Sequence, residues 1–373
     1  MAKVLFRICF ANFLLTAAVF MQLGAIVWGE SAAGVGFTDT VWAVSAFVLG
    51  LFALGPVSSY FVAKYQRKSV FKSALLLMAV VSAVLYFSAT LAAVAVVRFV
   101  EGALCGLAQV ALGSTMLNDM TASERRTFSD YNYSWSALLG IPVGMAAAYF
   151  LCPEWGFNVA LLVSVAMLLL SILTVMIIKV PFRAPISVPM FSCDRFWQKN
   201  DFLPFVNLLL FSSLLGFFLS ANFSAVTFLF VSLGVVVAHP LRRMIFSDAD
   251  VRAEIVSGML LVLAAVLIPF STDFAASIHA ADVIFGAGIG LGSSRFLLYF
   301  LKLTGHCQRG TAQNTYMLAR DCGYAIGLVA GAYVENVQYV MVPVALVSLV
   351  FYLAITHPWF RRHNDRDFKF HEV

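Results

Sequence analysis

The chain has 373 residues, 61% of them hydrophobic and 12% charged, with a net charge of +5 and a mean hydropathy of +0.90. So little charge cannot clothe a water-facing surface, which excludes a soluble globular protein and leaves the lipid bilayer as the natural solvent. The basic residues are scattered over membrane-adjacent loops and not gathered on one soluble domain, so nucleic acid is excluded as a partner.

A hydrocarbon layer of roughly 30 Å takes about 20 helical residues. Apolar runs of that order predict an all-α polytopic membrane protein with twelve transmembrane helices, at about 8–29, 40–62, 73–88, 93–115, 131–151, 157–178, 203–220, 223–238, 255–270, 278–301, 310–333 and 339–357. The first run follows Lys3 and Arg7 as a signal peptide would. It lacks a small-x-small cleavage site and reads as an uncleaved first helix. The stretch 203–238 as one helix would reach roughly 54 Å, nearly twice the hydrocarbon thickness, so a turn is expected near Ser220–Asn222.

Charge placement gives the topology. Of the 24 Lys and Arg, only Arg98, Arg295 and Arg320 lie within spans. The rest fall in the termini and in alternate connections: Lys64 to Lys72, Arg125–Arg126, Lys179 to Lys199, Arg242 to Arg252, and Lys302 with Arg309. The opposite connections carry Glu30, Asp39, Glu154, Asp273 and Glu335. This is the positive-inside pattern, and it puts both termini in the cytoplasm of a cell whose inner membrane the chain crosses. The six cysteines include no CxxC, so no disulfide framework is expected.

Two places repeat. "VAKYQRKSVF" (62–71) matches "VAHPLRRMIF" (237–246), and "GALCGL" (102–107) matches "GAGIGL" (286–291). Arg126, Tyr133, Gly140 and Gly144 fall on Arg309, Tyr316, Gly323 and Gly327 at a constant offset of 183. The pattern predicts two six-helix pseudo-repeat bundles, 1–180 and 202–358, joined by a cytoplasmic linker at 181–201 and followed by a cytoplasmic tail at 359–373. Parallel repeats of this kind rock about a site between them and give alternating access.

The loop after the second span resembles the signature loop of the major facilitator superfamily. In that register the chain reads Ser59, Ala63, Lys64, Tyr65, Gln66, Arg67, Lys68, keeping the basic pair and lacking the two glycines and the aspartate. "RFVEG" (98–102) is similar to the family's fourth-helix motif, and "GIPVG" (140–144) is a displaced form of the fifth-helix antiporter motif. "RGTAQNTYMLARDCGYAIG" (309–327) is similar to the eleventh helix of bacterial drug-efflux-type members, the drug:proton antiporter-like branch. The resemblance implies a major facilitator fold and gradient-driven transport. It also places inner-gate contacts at Lys64, Arg67, Lys68, Arg242 and Arg243, although Ala63 stands where the family has its acid. Anchoring to anionic lipid is the other reading of these basic loops.

On the fourth span, Arg98, Glu101, Cys105 and Gln109 share a face, with Gly102, Gly106 and Gly113 beside them. Val100, Leu104, Leu107 and Ala111 lie opposite and are expected to meet lipid. Arg98 and Glu101 are spaced to pair on their own helix. That cation stabilises the carboxylate and makes Glu101 the poorer proton carrier of the two candidates. On the eleventh span, Arg320 and Asp321 are consecutive and point about 100° apart, so they are expected not to neutralise each other. An Asp or Arg at mid-membrane costs roughly 2.5–3.5 kcal/mol, so each is expected to need a partner on another helix or a water-filled cavity. Asn314 shares the face of Asp321, and Gln313 and Tyr324 lie near Arg320. Two readings stand: Asp321 titrates while Arg320 and Arg98 compensate substrate charge, or the charges form a fixed interhelical salt bridge.

Asn12 and Gln22 on the first span and Asn207 on the seventh are further candidates for the substrate cavity, or bonds to neighbouring helices. His279 and Asp282 share a face near an outer end and read as a wetted interface pair. Arg295 is expected to snorkel to the cytoplasmic side. Tyr131, Tyr133 and Trp135 read as interfacial aromatics.

There is no GxxxxGK[ST], HExxH or GxSxG segment. The sequence therefore points away from an enzyme and calls for no cofactor and no metal. The reading is a monomeric secondary transporter whose partners are the bilayer, a small-molecule substrate, and protons or another coupling ion. Its expected work is proton-coupled export of a small, somewhat hydrophobic molecule. An importer or facilitator of a polar solute such as a sugar or organic anion is the first alternative, and a non-transporting sensor the second.

Overall fold

The computed structural model describes residues 2–87, 90–181, 186–246, 250–272, 274–305 and 308–369, with side chains through His363. Of the positions used above, Ser88, Asp273, linker residues 182–185, residues 247–249 and tail residues 370–373 lie outside this set.

Every regular element among the described residues is helical. In order it forms α1 (Ala2–Ala32), α2 (Phe37–Ala53), α3 (Gly55–Lys64), α4 (Arg67–Val84), α5 (Leu91–Gln109), α6 (Asn118–Met120), α7 (Arg126–Trp155) and α8 (Phe157–Met176). Then follow α9 (Phe202–Ala221), α10 (Ala225–Ile245), α11 (Val251–Leu267), α12 (Ala275–Lys302), α13 (Arg309–Gly331), α14 (Val337–Phe351) and α15 (His357–Lys369). Two π-helical turns interrupt the series, Val110–Leu117 after α5 and Tyr352–Thr356 after α14.

Among the described residues, nine helical stretches are long and apolar enough to cross a membrane, or ten when α2 and α3 count as one span bent by 53°. The bend falls where Leu54 caps α3 and Pro56 enters its first turn, since proline has no N–H to continue the ladder of α2. Helices α4 and α13 stand at the other two stretches that the sequence reading takes as spans, which is consistent with twelve, but fall short of that apolarity. Three basic residues, Arg67, Lys68 and Lys72, sit in the 18 of α4. Polar side chains from Gln313 to Asp321 lower the hydropathy of α13. The expected turn is found between Ala221, which ends α9, and Ala225, which begins α10.

The chain divides into two compact units, Met1–Trp197 with Phe223–Leu229, and Gln198–Asn222 with Phe230–Val373. Within the first, α1 packs on α7 and α8, α5 on α2 and α4, and α4 on α8. Within the second, α9 packs on α13 and α14, α12 on α11, and α11 on α14, the same order of neighbours. Glycine decides the closest approaches in both. A Cβ on Gly102 would stand 1.9 Å from the carbonyl oxygen of Phe47 in α2, and one on Gly286 2.1 Å from that of Val231 in α10. Only a residue without a side chain lets the backbones come so near.

That packing corrects one expectation. Leu104, Leu107 and Ala111 are buried in protein and do not meet lipid. α5 is held by helices on both flanks, and its exposed side carries Val96 and Phe99. Tyr131 and Tyr133 are likewise buried, not interfacial, because the start of α7 lies against neighbouring helices.

Candidate functional site

In the first unit, α5 turns Arg98 and Glu101 inward, where they are 1% and 0% exposed. Arg98 Nη1 lies 2.9 Å from Glu101 Oε2, the pair that the i, i+3 spacing allows. The other carboxylate oxygen accepts from Ser82 Oγ of α4 at 2.6 Å. Gln22 of α1 closes the ring: its Oε1 accepts from Arg98 Nη1 at 3.3 Å, and its Nε2 donates to Ser82 Oγ at 2.9 Å and to Ser164 Oγ of α8 at 3.2 Å. Arg98 also lies over the ring of Phe47, 4.6 Å from its centre, which offsets part of the burial of the cation. Four helices thus meet in one polar knot that uses both oxygens of Glu101.

In the second unit, α13 carries the other charges. Arg320 is 1% exposed and Asp321 12%. Contrary to the sequence expectation, the two do pair. Arg320 Nη2 and Nε lie 2.8 and 2.9 Å from Asp321 Oδ1. The Cα–Cβ directions of consecutive helical residues diverge, but the long arginine side chain folds its guanidinium back across the angle. Both nitrogens engage the same oxygen, and Arg320 is the only hydrogen-bonding partner of Asp321 among the described residues. Among the described residues Arg320 Nη1 has no partner, nor has either end of the fully buried Gln313 carboxamide two turns earlier on the same face. Tyr324 is buried beside Arg320, with its ring centre 5.8 Å from the guanidinium carbon. Asn314 is buried on the Asp321 face.

The remaining candidates are placed apart from these two groups. Asn12 Nδ2 donates to the Tyr133 carbonyl at 2.9 Å and to Ser136 Oγ at 3.2 Å, tying α1 to α7. Asn207 Nδ2 donates to the Ser348 carbonyl at 3.0 Å, tying α9 to α14. Gln109 is buried where α5 passes into its π-helical turn. Lys64 contacts the Tyr60 hydroxyl, and Lys68 Nζ donates to the carbonyls of Met176 and Ile178 at the end of α8, at 2.5 and 2.9 Å. Arg67 forms an ion pair with Asp119 of α6, an acid at some distance in sequence from Ala63. Arg242 lies 3.7 Å from Glu254, and Arg243 is exposed. His279 and Asp282 stand 3.6 Å apart, with the histidine stacked on Phe230.

Sequence reasoning missed three features. Glu254 of α11 is fully buried, and Arg295 of α12 grips both its oxygens instead of snorkelling to the water. Its position near a helix start reads in sequence as an exposed capping acid. Ser82 and Ser164 carry no sequence signal, since serine is common in membrane helices and only packing shows which ones meet a charge. Tyr299, Tyr352 and His357 form a chain of hydrogen bonds, 2.6 Å between the hydroxyls and 2.9 Å from Tyr299 to the imidazole.

The sequence profile described as Major Facilitator Superfamily matches residues 8–239. No curated protein matches the chain in sequence. Among solved structures, the crystal structure of a mutant of the nucleoside transporter NupG is similar in fold, with a TM-score of 0.63. The two share 13% sequence identity over 96% of this chain and 98% of that one.

Proposed function

The chain belongs to the major facilitator superfamily, is a multi-pass membrane transporter rather than an enzyme, and from that premise we propose proton-coupled secondary transport by alternating access, with Asp321 as the group that takes and releases the proton. The observation that carries this reading is the difference in how the two buried acids are held. Glu101 has a partner on each oxygen, whereas Asp321 keeps one oxygen outside its ion pair and is the more exposed. A carboxylate must lose its stabilising contacts easily to change protonation during a cycle. Arg320 holds the charge until it is neutralised, and Arg98 with Glu101 sets the packing of the other unit. The cargo is a small, somewhat hydrophobic molecule moved outward, and Tyr324, Asn314 and Gln109 supply contacts to it. Lys64, Arg67, Lys68, Arg242 and Arg243 belong to the inner gate. The two bundles, 1–180 and 202–358, are the moving parts, with both termini in the cytoplasm of a cell bounded by this membrane.

One observation favours a second reading, the uptake of a polar solute. Among the described residues the buried Gln313 carboxamide has no partner for its donor or its acceptor, a state that a hydrogen-bonding ligand relieves. Proteoliposomes loaded with a pH-sensitive dye separate the readings when panels of lipophilic cations and polar solutes are added in turn. Proton movement evoked by the first panel and lost in Asp321→Asn supports the export reading. Movement evoked only by the second panel replaces it with uptake.

A further inference from the structure

A cavity of about 540 Å³ lies in the first unit, and no residue of either buried charge group lines it. Its walls are the end of α3, the start of α4, the residues that follow α8, and part of the connection after them. Arg67, Lys68, Lys179 and Arg195 line it, and among the described residues no carboxylate does. Asp119 offsets the charge of Arg67, and Lys68 spends two donors on the carbonyls that end α8. Lys179 is exposed. Arg195 is set in place by its backbone: it is the only non-glycine residue with positive φ, at 60°, among the described residues. The segment before it is pinned to α3 by bonds from Ile186 N–H to the Ala63 carbonyl and from Ser192 N–H to the Pro56 carbonyl. The segment after it seats the Phe196 ring on Gly55, where a Cβ would come within 2.0 Å of the ring. α4 starts at Arg67, and its capping residue Gln66 makes no side-chain bond there, so backbone N–H groups add to the field at this wall. Beside the basic wall stand two large apolar residues open to the outside, Met176 at 43% and Ile177 at 62% exposure.

We propose that this cavity binds a phosphate ester, and specifically the phosphodiester headgroup of an anionic phospholipid from the leaflet that these loops face, with an acyl chain along Met176 and Ile177. Basic pockets between membrane helices take anionic headgroups, and the adjoining apolar strip is what distinguishes a lipid from a free anion. The site shares Arg67 and Lys68 with the proposed inner gate, but it needs neither a substrate nor a coupling ion, so its test can fail without touching the transport reading.

The test is native mass spectrometry of the full chain in detergent, titrated with phosphatidylglycerol and phosphatidylcholine of equal chain length. Phosphatidylglycerol should be the better retained. The variant Lys179→Gln/Arg195→Gly should weaken it about thirtyfold, taking each cation near a membrane surface at its usual contribution. Glycine at 195 keeps the left-handed backbone while removing the guanidinium. The control Arg361→Gln/Arg362→Gln, on the exposed face of α15, should leave retention unchanged. Equal retention of the two lipids, or an equal loss in the control, overturns the proposal. Full displacement of phosphatidylglycerol by inorganic phosphate overturns the lipid source and assigns the cavity to a soluble phosphate ester. Should the double variant not fold, the wild type decides: retention that falls as salt is raised supports a charge-borne headgroup site, and retention indifferent to salt overturns it.

Discussion

The Arg98–Glu101 group and the Arg320–Asp321 pair are chemically alike, one arginine and one acid on a single helix. They differ in what surrounds them. Around Glu101 its own helix supplies a cation and α4 a serine hydroxyl, so both oxygens are engaged, and Gln22 of α1, itself bonded to Ser164 of α8, braces both partners. Around Asp321 the partner comes from the adjacent residue of the same helix, and no other helix shares the ion pair among the described residues. Both salt bridges close on their own helix, but hydrogen bonds from Ser82 and Gln22 tie the first to neighbouring helices and resist motion, while the second moves with its helix. The first suits a scaffold and the second a working group.

The largest expected effect tests the second half of that contrast. Asp321→Asn should remove substrate-dependent proton flux in proteoliposomes while the amount of protein in the membrane stays the same. Flux at the wild-type level would take Asp321 out of the mechanism and leave the two groups equivalent. Next comes Arg98→Ala, which strands a fully buried carboxylate and should lower stability by about 3–5 kcal/mol, read as a lower melting temperature in detergent. A melting temperature close to wild type would show the knot to be dispensable. Gln22→Ala leaves Arg98, Ser82 and Ser164 each short of one bond and should cost about 1–3 kcal/mol in the same assay. The smallest stability change belongs to Gln313→Ala, since its carboxamide has no partner among the described residues and the release of that buried group opposes the cost of the space left behind. Its effect should appear instead as a weaker apparent affinity for the transported molecule. A stability loss as great as that of Gln22→Ala would erase the distinction between structural and ligand-facing amides.

Much of the helical layout was legible in the sequence because lipid imposes a simple rule: about 20 apolar residues per crossing, with basic residues kept on one side. The same rule hid α4 and α13 from a measure of apolarity alone, since one carries Arg67, Lys68 and Lys72 and the other its polar face. The i, i+3 spacing of Arg98 and Glu101 also gave their pairing, because a helix fixes the distance between side chains one turn apart. Spacing misled at Arg320 and Asp321, where the directions of Cα–Cβ bonds say little about where a guanidinium on a flexible stem ends up.

What amino-acid order determined by itself was therefore local or set by the solvent: helical class, crossings, the repeat of Gly102 in Gly286, and which helices carry charge. Tertiary structure decided who meets whom. It buried Leu104 and Leu107 in protein, gave Glu254 to Arg295, brought Ser82 and Ser164 to Gln22, and left the Gln313 carboxamide without a partner among the described residues. Those outcomes depend on how helices distant in sequence are rotated and spaced against one another. A pattern that repeats every 3.6 residues specifies the face of one helix and leaves its neighbour open.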